Sequence, residues 1–240
     1  MKNALILGAS GDIGQAIARR LAADGWSLYC HYYQHAEKVV RLVKDLRNGY
    51  PQQDFFMVSL NMLDESGLPA FYDQLFQVDA VIFASGFTHY QLLSDMTSAM
   101  LEELWQIHLK LPIMLCRDLQ TKLSHSGCGR VVFIGSVYGQ MGSSMETVYS
   151  AVKGGQEAFA KAYSQEVASL GITVNVVAPG AVATSMNRHW TDAEVESLQA
   201  EIPVGRMGQP EEIAAAVAFL VAEQSNYITG ITLPVNGGWY

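Results

Sequence analysis

The sequence is poor in cysteine, in positive charge and in long apolar runs. Its 240 residues include three cysteines, Cys30, Cys116 and Cys128, which cannot all pair with one another and show no CxxC spacing. Neither a disulfide framework nor a zinc site is therefore indicated. Lys and Arg number 15 against 23 Asp and Glu, for a formal net charge of −8, which argues against a general nucleic-acid-binding protein. The longest apolar run near the end, AAAVAFLVA, is too short to cross a bilayer.

These shortages point to a reduced, aqueous compartment. The first apolar run, ALIL, begins at residue 4 and follows no charged leader or cleavage site, so we expect a cytoplasmic protein. Half of the residues are hydrophobic, enough for one large core, and we expect a single domain over residues 1–240. We expect no metal ion, no nucleic acid and no membrane as partners.

Short apolar runs alternate with amphipathic stretches along the whole chain. The runs that predict strands are NALILG, WSLYCHYY, DFFMVSL, DAVIFAS, GRVVFIGS, ITVNVVAP and GITLPV. The stretches between them predict helices, including one over residues 65–76, a long one over 98–123 and another over 149–170, whereas residues 184–207 are polar and less regular. Strands that are apolar on both faces and separated by helices indicate a parallel sheet covered on each side. The prediction is a single-domain, doubly wound α/β Rossmann fold of about seven strands, with its ligand site at their carboxyl ends.

The turn after the first strand carries the glycines of GASGDIG, namely Gly8, Gly11 and Gly14. Glycines here allow a tight turn and let backbone amides approach a phosphate at a helix N-terminus. The spacing resembles a dinucleotide fingerprint without matching GxGxxG, and a strand–turn–helix unit without a nucleotide is the alternative.

The end of the second strand bears on the choice of dinucleotide. An NAD-binding fold places an acid there for the ribose 2′-hydroxyl, but in CHYYQHAEK no acid precedes Glu37, and His31, His35 and Lys38 are nearby instead. NADP is therefore favoured over NAD. His31 and His35 straddle a strand end, so their spacing does not favour a metal site.

Three residues suggest carbonyl chemistry. Tyr149 and Lys153, in YSAVK, stand one helical turn apart, and Ser136 lies thirteen residues before Tyr149. A free phenol is a poor acid–base group at neutral pH, and a neighbouring ammonium lowers its pKa. We therefore expect Tyr149 to donate the proton in a ketone reduction, Lys153 to tune it and Ser136 to orient the substrate oxygen. An ordinary helix with a surface Tyr and Lys is the alternative.

Nearly the whole chain resembles the short-chain dehydrogenase/reductase family. The motifs that carry the resemblance are GASGDIG, the GS thirteen residues before YSAVK, GITVNVVAPGAVAT, GRMGQPEEIAAAVAFLV and TGITLPVNGG. The resemblance is strongest to the bacterial 3-oxoacyl-acyl-carrier-protein reductases and their paralogues, and it implies an NADPH-dependent oxidoreductase that assembles as a homotetramer.

The resemblance also assigns residues. It implies that Ser136, Tyr149 and Lys153 are catalytic, that Asn61 faces the adenine, and that Val182 and Thr184 contact the nicotinamide carboxamide. The residues it places around the cofactor share the turns at the strand ends: Gly8, Ser10, Gly11, Asp12, Ile13, Gly14, Asn61, Met62, Ala84, Gly86, Tyr149, Lys153, Pro179, Gly180, Val182 and Thr184.

The chain departs from the family pattern at three places. Asp12 replaces a glycine, and FASG at residues 83–86 replaces Asn-Asn-Ala-Gly. The third departure is His108, which stands where the family has an Asn that holds a proton-relaying water. An imidazole also accepts and donates hydrogen bonds, so His108 is a fourth candidate catalytic residue; packing alone is the alternative. A non-enzymatic NADP-binding regulator with the same fold is the rival class.

The substrate is the least determined feature. Residues 138–148 and 185–205 are expected to line its cleft, and both contain methionines and small residues. A 3-oxoacyl group on acyl carrier protein is the first expectation, although the family's docking pair is reduced to Arg130 because Leu170 occupies the other position. The close alternative is the aminopentanone group on elongation factor P, whose reductases resemble this chain at His108 and whose ammonium would suit an acid such as Glu146.

Overall fold

The architecture is one parallel sheet between two layers of helices. The structure, a computed structural model, describes residues 2–188 and 190–240. Within these residues seven strands form the sheet: β1 (Asn3–Leu7), β2 (Ser27–Tyr32), β3 (Phe55–Ser59), β4 (Ala80–Phe83), β5 (Arg130–Ile134), β6 (Thr173–Pro179) and β7 (Thr232–Val235). Their order is β3-β2-β1-β4-β5-β6-β7, and every neighbouring pair is parallel. The predicted fold class is confirmed.

The helices connect the strands and cover both faces of the sheet. They are α1 (Asp12–Ala23), α2 (Ala36–Gly49), α3 (Leu68–Tyr72), α4 (Ser98–Trp105), α5 (Leu111–Ser124), α6 (Tyr138–Met141), α7 (Thr147–Val167), α8 (Asp192–Glu201) and α9 (Pro210–Val221). Among the described residues, no helix has both the length and the apolarity needed to cross a membrane.

The sheet divides the core into two parts. Side chains alternate along a strand, so Ala4 and Ile6 of β1 pack with α1, α2 and α9, whereas Leu5 and Leu7 pack on the opposite face with α3, α5 and α7. Because both faces of the central strands are buried, these strands carry apolar residues at most positions. This explains the continuous apolar runs in the sequence.

Three predicted elements differ from the structure. The helix predicted over residues 65–76 is a 3₁₀ turn, Glu65–Gly67, followed by the short α3. The long helix predicted over 98–123 is broken by a π-helical turn, Gln106–Lys110, between α4 and α5. The polar stretch 184–207 contains a regular helix, α8, which a Thr191–Glu194 capping box begins; His189 of this stretch lies outside the described residues.

The order in which the chain connects the strands predicts the position of the ligand site on the sheet. The chain runs from β1 outward through β2 to β3, and then returns to place β4 on the other side of β1. The strand order reverses at that point, and the carboxyl ends of β1 and β4 diverge to open a crevice. The glycine turn, the segment after β4 and the segment after β5 all reach this edge.

Candidate active site

The glycine turn between β1 and α1 is closely packed. Gly8 has a φ of +85°, and a Cβ added to it would lie 2.6 Å from the Cα of Ser85 after β4. A Cβ on Gly14 would lie 2.2 Å from the carbonyl oxygen of Gly8, and the Gly11 amide donates to that same oxygen at 3.0 Å. The turn therefore brings the N-terminus of α1 directly against the end of β1, as a phosphate cradle requires.

His31, at the end of β2, holds this turn in place. Its Nδ1 accepts a hydrogen bond from the Gly8 amide at 3.0 Å, and its Nε2 lies 3.0 Å from the carbonyl oxygen of Leu60. A carbonyl can only accept, so Nε2 carries the hydrogen and the ring is neutral. Burial lowers the pKa of His31 to about 4. Both ring nitrogens are engaged, which leaves neither for a metal ion.

Asp12, at the start of α1, connects the glycine turn to the segment after β6. Its carboxylate accepts a hydrogen bond from the amide of Ser185. Burial alone would raise the pKa of Asp12, but the hydrogen bonds from Ser185 and the charge of Lys38 lower it overall. The side chain of Asp12 therefore binds a neighbouring loop. Only the backbone of Asp12 then remains for the expected contact with a cofactor.

The segments after β3 and β4 meet beside the turn. The Asn61 Oδ1 accepts from the amide of Leu63 at 3.1 Å, and the buried Met62 lies 3.1 Å from the Ser85 hydroxyl through its sulfur. The Ala84 amide donates to the carbonyl oxygen of Leu7 at the end of β1. These predicted cofactor residues are thus brought together at one edge of the sheet.

The segment after β6 closes the other side of the crevice. Pro179 ends β6, and the amide of Gly180 donates to Val235 of β7 at 3.1 Å. Val182 is buried and pairs with Gly208 in an isolated bridge. Thr184 precedes a 3₁₀ turn, Ser185–Asn187, whose first amide is the one bound by Asp12.

The predicted catalytic residues lie just after the carboxyl end of β5 and in the first turns of α7. Ser136 follows β5, and its hydroxyl accepts from the Tyr138 amide at 3.2 Å. Tyr149 and Lys153 share one face of α7, and the Lys153 Nζ lies 5.4 Å from the centroid of the Tyr149 ring. The same Nζ donates to the carbonyl oxygen of Ile134 at 2.7 Å. The structure therefore brings the three residues together as predicted.

Their proton affinities differ from the expectation drawn from the sequence. Burial and the charge of Glu146 raise the pKa of Tyr149, and a hydrogen bond with Ser136 only partly offsets this. Burial also lowers the pKa of Lys153 to about 7. Because a buried lysine carries only a partial charge near neutral pH, it cannot lower the pKa of the phenol as strongly as an exposed ammonium would.

His108 lies in the π-helical turn and faces Tyr149. The two ring centroids are 5.4 Å apart and the rings are nearly perpendicular. The His108 Nε2 lies 2.8 Å from the carbonyl oxygen of Phe87 and 3.4 Å from the amide nitrogen of the same residue. The shorter contact, with the carbonyl, assigns the hydrogen to Nε2 and makes Nδ1 an acceptor. Burial, assisted by the charge of Lys153, lowers the pKa of His108 to about 3. His108 is therefore a neutral hydrogen-bonding group at the site, and Gly86 leaves room for its ring, since a Cβ there would lie 2.4 Å from the His108 Cε1.

Comparison with known proteins identifies the architecture. A family described as enoyl-(acyl carrier protein) reductase matches residues 8–240. The chain belongs to the short-chain dehydrogenase/reductase family. Over the whole chain it is 40% identical to the uncharacterized oxidoreductase YmfI of Bacillus subtilis, of which it covers 99%. It is 36% identical to the 3-oxoacyl-[acyl-carrier-protein] reductase FabG of Salmonella typhimurium, covering 97% of that protein and 100% of this one.

Solved structures show the same fold. The structure of YwfH, an NADPH-dependent reductase involved in bacilysin biosynthesis, superposes with a TM-score of 0.92. It is 22% identical in sequence, and the match covers 100% of this chain and 98% of that one. The predicted family, fold and oxidoreductase class are thus confirmed.

Arg130, which the family resemblance assigns to carrier docking, is buried. Its exposed fraction is 1%. Its guanidinium donates to the carbonyl oxygens of Gly129 and Ala222 and to the side-chain oxygen of Asn226. Arg130 therefore ties β5 to the segment after α9, and its guanidinium does not lie at the surface of the chain.

Two residues of the site were missed from the sequence in the roles that the structure shows. The sequence indicates His31 only as a charged or metal-binding residue, although its ring holds the glycine turn. No sequence motif indicates Gln156, which is 2% exposed and whose Nε2 donates to the backbone carbonyl of His108 at 2.6 Å. Its position, three residues after Lys153 on the inward face of α7, was the available signal.

Proposed function

We propose that the protein reduces a ketone to a secondary alcohol, with NADPH as the hydride source and Tyr149 as the proton donor. The observation that carries this proposal is the placement of Ser136, Tyr149 and Lys153 beside the glycine turn at one edge of the sheet. A hydroxyl, a phenol and an amine at that place are the groups that a carbonyl needs as it gains negative charge.

The residues around the crevice fit a dinucleotide. The turn at Gly8 and Gly14 is too close-packed for side chains, which leaves backbone amides at the N-terminus of α1 free to approach a diphosphate. Asn61 and Met62 line the side expected for the adenine, and Val182 and Thr184 the side expected for the nicotinamide. NADPH, when bound there, supplies the hydride.

The charges near the end of β2 favour a 2′-phosphate. Asp12, the acid closest to the turn, is occupied by the Ser185 amide. Lys38 is near enough for its charge to lower the pKa of Asp12. His35 and Glu37 form a pair at 3.6 Å, so this glutamate is directed toward a neighbour on its own segment. We therefore propose NADP as the cofactor.

Side chains of the protein donate the proton to the substrate oxygen and replace it afterwards. A raised pKa keeps the phenol of Tyr149 protonated at neutral pH, so that its proton is available to the substrate oxygen. Ser136 donates a second hydrogen bond to that oxygen as charge develops. Lys153, whose pKa of about 7 lies near the working range, returns a proton to the phenolate, and His108 accepts a hydrogen bond on that path.

The test is a reductase assay with purified protein, NADPH or NADH, and a panel of ketones. Turnover is measured as the rate of cofactor oxidation. We expect turnover with NADPH, a higher kcat/KM for NADPH than for NADH, and loss of turnover in Tyr149→Phe with NADPH affinity nearly unchanged. Lys153→Ala should lower both. A protein that binds NADPH and reduces no ketone would instead favour the non-enzymatic regulator.

A 3-oxoacyl thioester is the first candidate substrate. The relative FabG, named a 3-oxoacyl-[acyl-carrier-protein] reductase, is 36% identical over the full chain. Arg130 is buried and Leu170 is exposed, so these two positions offer no pair of basic side chains to an acidic carrier protein. We therefore favour a thioester of coenzyme A over a thioester of acyl carrier protein.

A ketone with a cationic tail, as in aminopentanone-modified elongation factor P, is the second candidate. Glu146 acts electrostatically on both Tyr149 and Tyr138, and Glu201 acts on Tyr138. The carboxylate of Glu146 near the catalytic phenol attracts an ammonium and repels a phosphorylated carrier. The Glu146 carboxylate accepts from the Ser143 hydroxyl at 3.3 Å, which holds it at the start of α7.

A direct comparison separates these candidates. Acetoacetyl-coenzyme A, acetoacetyl-acyl carrier protein and aminopentanone-modified elongation factor P are each assayed with NADPH, using wild type and Glu146→Gln. Turnover of the thioesters alone eliminates the second candidate, and turnover of the modified factor alone eliminates the first. A cytoplasmic homotetramer remains our prediction for the assembly, and light scattering of the same preparation tests its size.

A further inference from the structure

A buried polar cluster lies behind the catalytic residues. It contains the Lys153 Nζ, the His108 ring and the side chain of Gln156, which are 3%, 1% and 2% exposed. Within residues 2–188 and 190–240, the structure shows no hydrogen-bond partner for the His108 Nδ1 or for the Gln156 Oε1. Buried polar atoms usually have partners, so two unpaired acceptors beside a catalytic lysine indicate more than packing.

The orientation of the Gln156 amide follows from its one contact. It lies 2.6 Å from the backbone carbonyl oxygen of His108, and only the NH₂ end of an amide can donate to a carbonyl. The Oε1 end is therefore the free acceptor. The carbonyl that it contacts belongs to the π-helical turn Gln106–Lys110, between α4 and α5.

Lys153 has the donors that these acceptors lack. An ammonium carries three N–H groups, and one of them donates to Ile134. Gln156 lies three residues further along α7, on the same face, at about 5–6 Å between Cβ atoms. His108 is close enough for its pKa to be affected by the charge of Lys153. Lys153 and His108 each lie against Tyr149, and Gln156 contacts the backbone of His108.

We propose that Gln156 is a positioning residue of the proton path: its NH₂ holds the π-helical carbonyl of His108, and its Oε1 accepts a hydrogen bond from Lys153 through one water molecule. The acceptor stabilises the protonated form of Lys153, which must resupply the proton that Tyr149 gives away. The inference rests on the proposed ketone reduction and adds to it a residue that keeps the lysine charged.

Other titratable groups also lie near Lys153. Tyr149 and His108 face it from α7 and the π-helical turn, and Glu146 acts on Tyr149 from the start of α7. Glu157 lies one turn beyond Lys153, with one carboxylate oxygen bound to Gln140 at 3.1 Å. None of these groups changes when Gln156 is replaced, so a shift in the pH profile reports the lost amide.

The test uses Gln156→Met, which keeps the length of the side chain, and Gln156→Asn, which keeps the amide but shortens its reach. The matched control is Gln165→Met on the exposed face of α7, where the amide only donates to Lys161. In both Gln156 variants we expect kcat to fall about tenfold and the basic limb of its pH profile to move down by about one pH unit, because loss of an acceptor lowers the pKa of Lys153. On the acidic plateau of the profile the KM for NADPH of both variants should stay near wild type, and the control variant should match wild type at every pH.

A second measurement needs no ketone. The Kd for NADPH is followed against pH by fluorescence, since the family resemblance places Lys153 on the nicotinamide ribose, and its midpoint should move down in the same two variants. A shifted midpoint in a protein that reduces no ketone would refute the proposed function and leave standing only the effect of Gln156 on the protonation of Lys153. Unchanged profiles in both assays, or failure of both variants to fold, would overturn the inference and assign Gln156 to packing alone.

Discussion

Protonation of His31 should destabilise the fold and release the glycine turn as the pH falls. The ring bridges the Gly8 amide and the Leu60 carbonyl while neutral, and a second proton on Nδ1 would face the N–H of Gly8. The unfolded side chain takes up a proton near its ordinary pKa of 6.5, whereas the folded one does so only near 4. The unfolded state therefore binds more protons between these values, and stability is lost as the pH falls through that interval.

The size of the effect follows from the two pKa values. Each pKa unit corresponds to about 1.4 kcal/mol, so the complete loss is about 3 kcal/mol, of which about 2 kcal/mol has been lost by pH 5. The perturbation is His31→Gln, which retains an acceptor and a donor and does not titrate. The burial of His108 contributes a similar pH dependence to both proteins and cancels in the comparison.

The assay is urea denaturation at pH 7 and pH 5, with NADPH affinity measured at the same two values. We expect wild type to lose about 2 kcal/mol more than His31→Gln between the two. The matched control, His125→Gln, replaces an exposed histidine and should behave as wild type. Equal losses in wild type and His31→Gln would refute the argument that His31 is neutral and buried at the turn. His31→Leu, which leaves the Gly8 amide and the Leu60 carbonyl unpaired, should weaken NADPH binding at pH 7 by about tenfold.

Three further predictions concern neighbouring contacts. Gly86→Ala should lower kcat and cost about 1–3 kcal/mol of stability, because its Cβ would meet the His108 ring at 2.4 Å; wild-type rate and melting temperature would show that the ring yields freely. His108→Leu should lower kcat more than His108→Asn, because only Asn restores a hydrogen bond, and equal, near-wild-type rates for both would mean that His108 only packs. Arg130→Met should destabilise the fold by about 1–3 kcal/mol, since it removes the hydrogen bonds from the guanidinium to Gly129, Ala222 and Asn226. The KM ratio of carrier-bound to coenzyme A thioesters should stay unchanged, and a rise in that ratio would support a docking role.

The features that the sequence determined by itself are those with a local, periodic signature. Apolar runs between amphipathic stretches predicted the seven parallel strands, since strands buried on both faces need apolar side chains throughout. The spacing of Tyr149 and Lys153 predicted their common face on α7 because four residues make about one helical turn. The glycines of the first turn predicted a close approach that the structure shows at Gly8 and Gly14.

The contacts that join distant parts of the chain follow from its three-dimensional packing. His31 meets Gly8 across 23 residues, Gln156 meets His108 across 48, and Arg130 meets Asn226 across 96. No periodic pattern encodes such pairs, because each depends on how two elements are placed when the sheet and its helices pack. Burial is likewise a property of the assembled fold: it places the Arg130 guanidinium in the interior and lowers the pKa of Lys153, so the same residue types have different chemistry from that expected of an exposed chain.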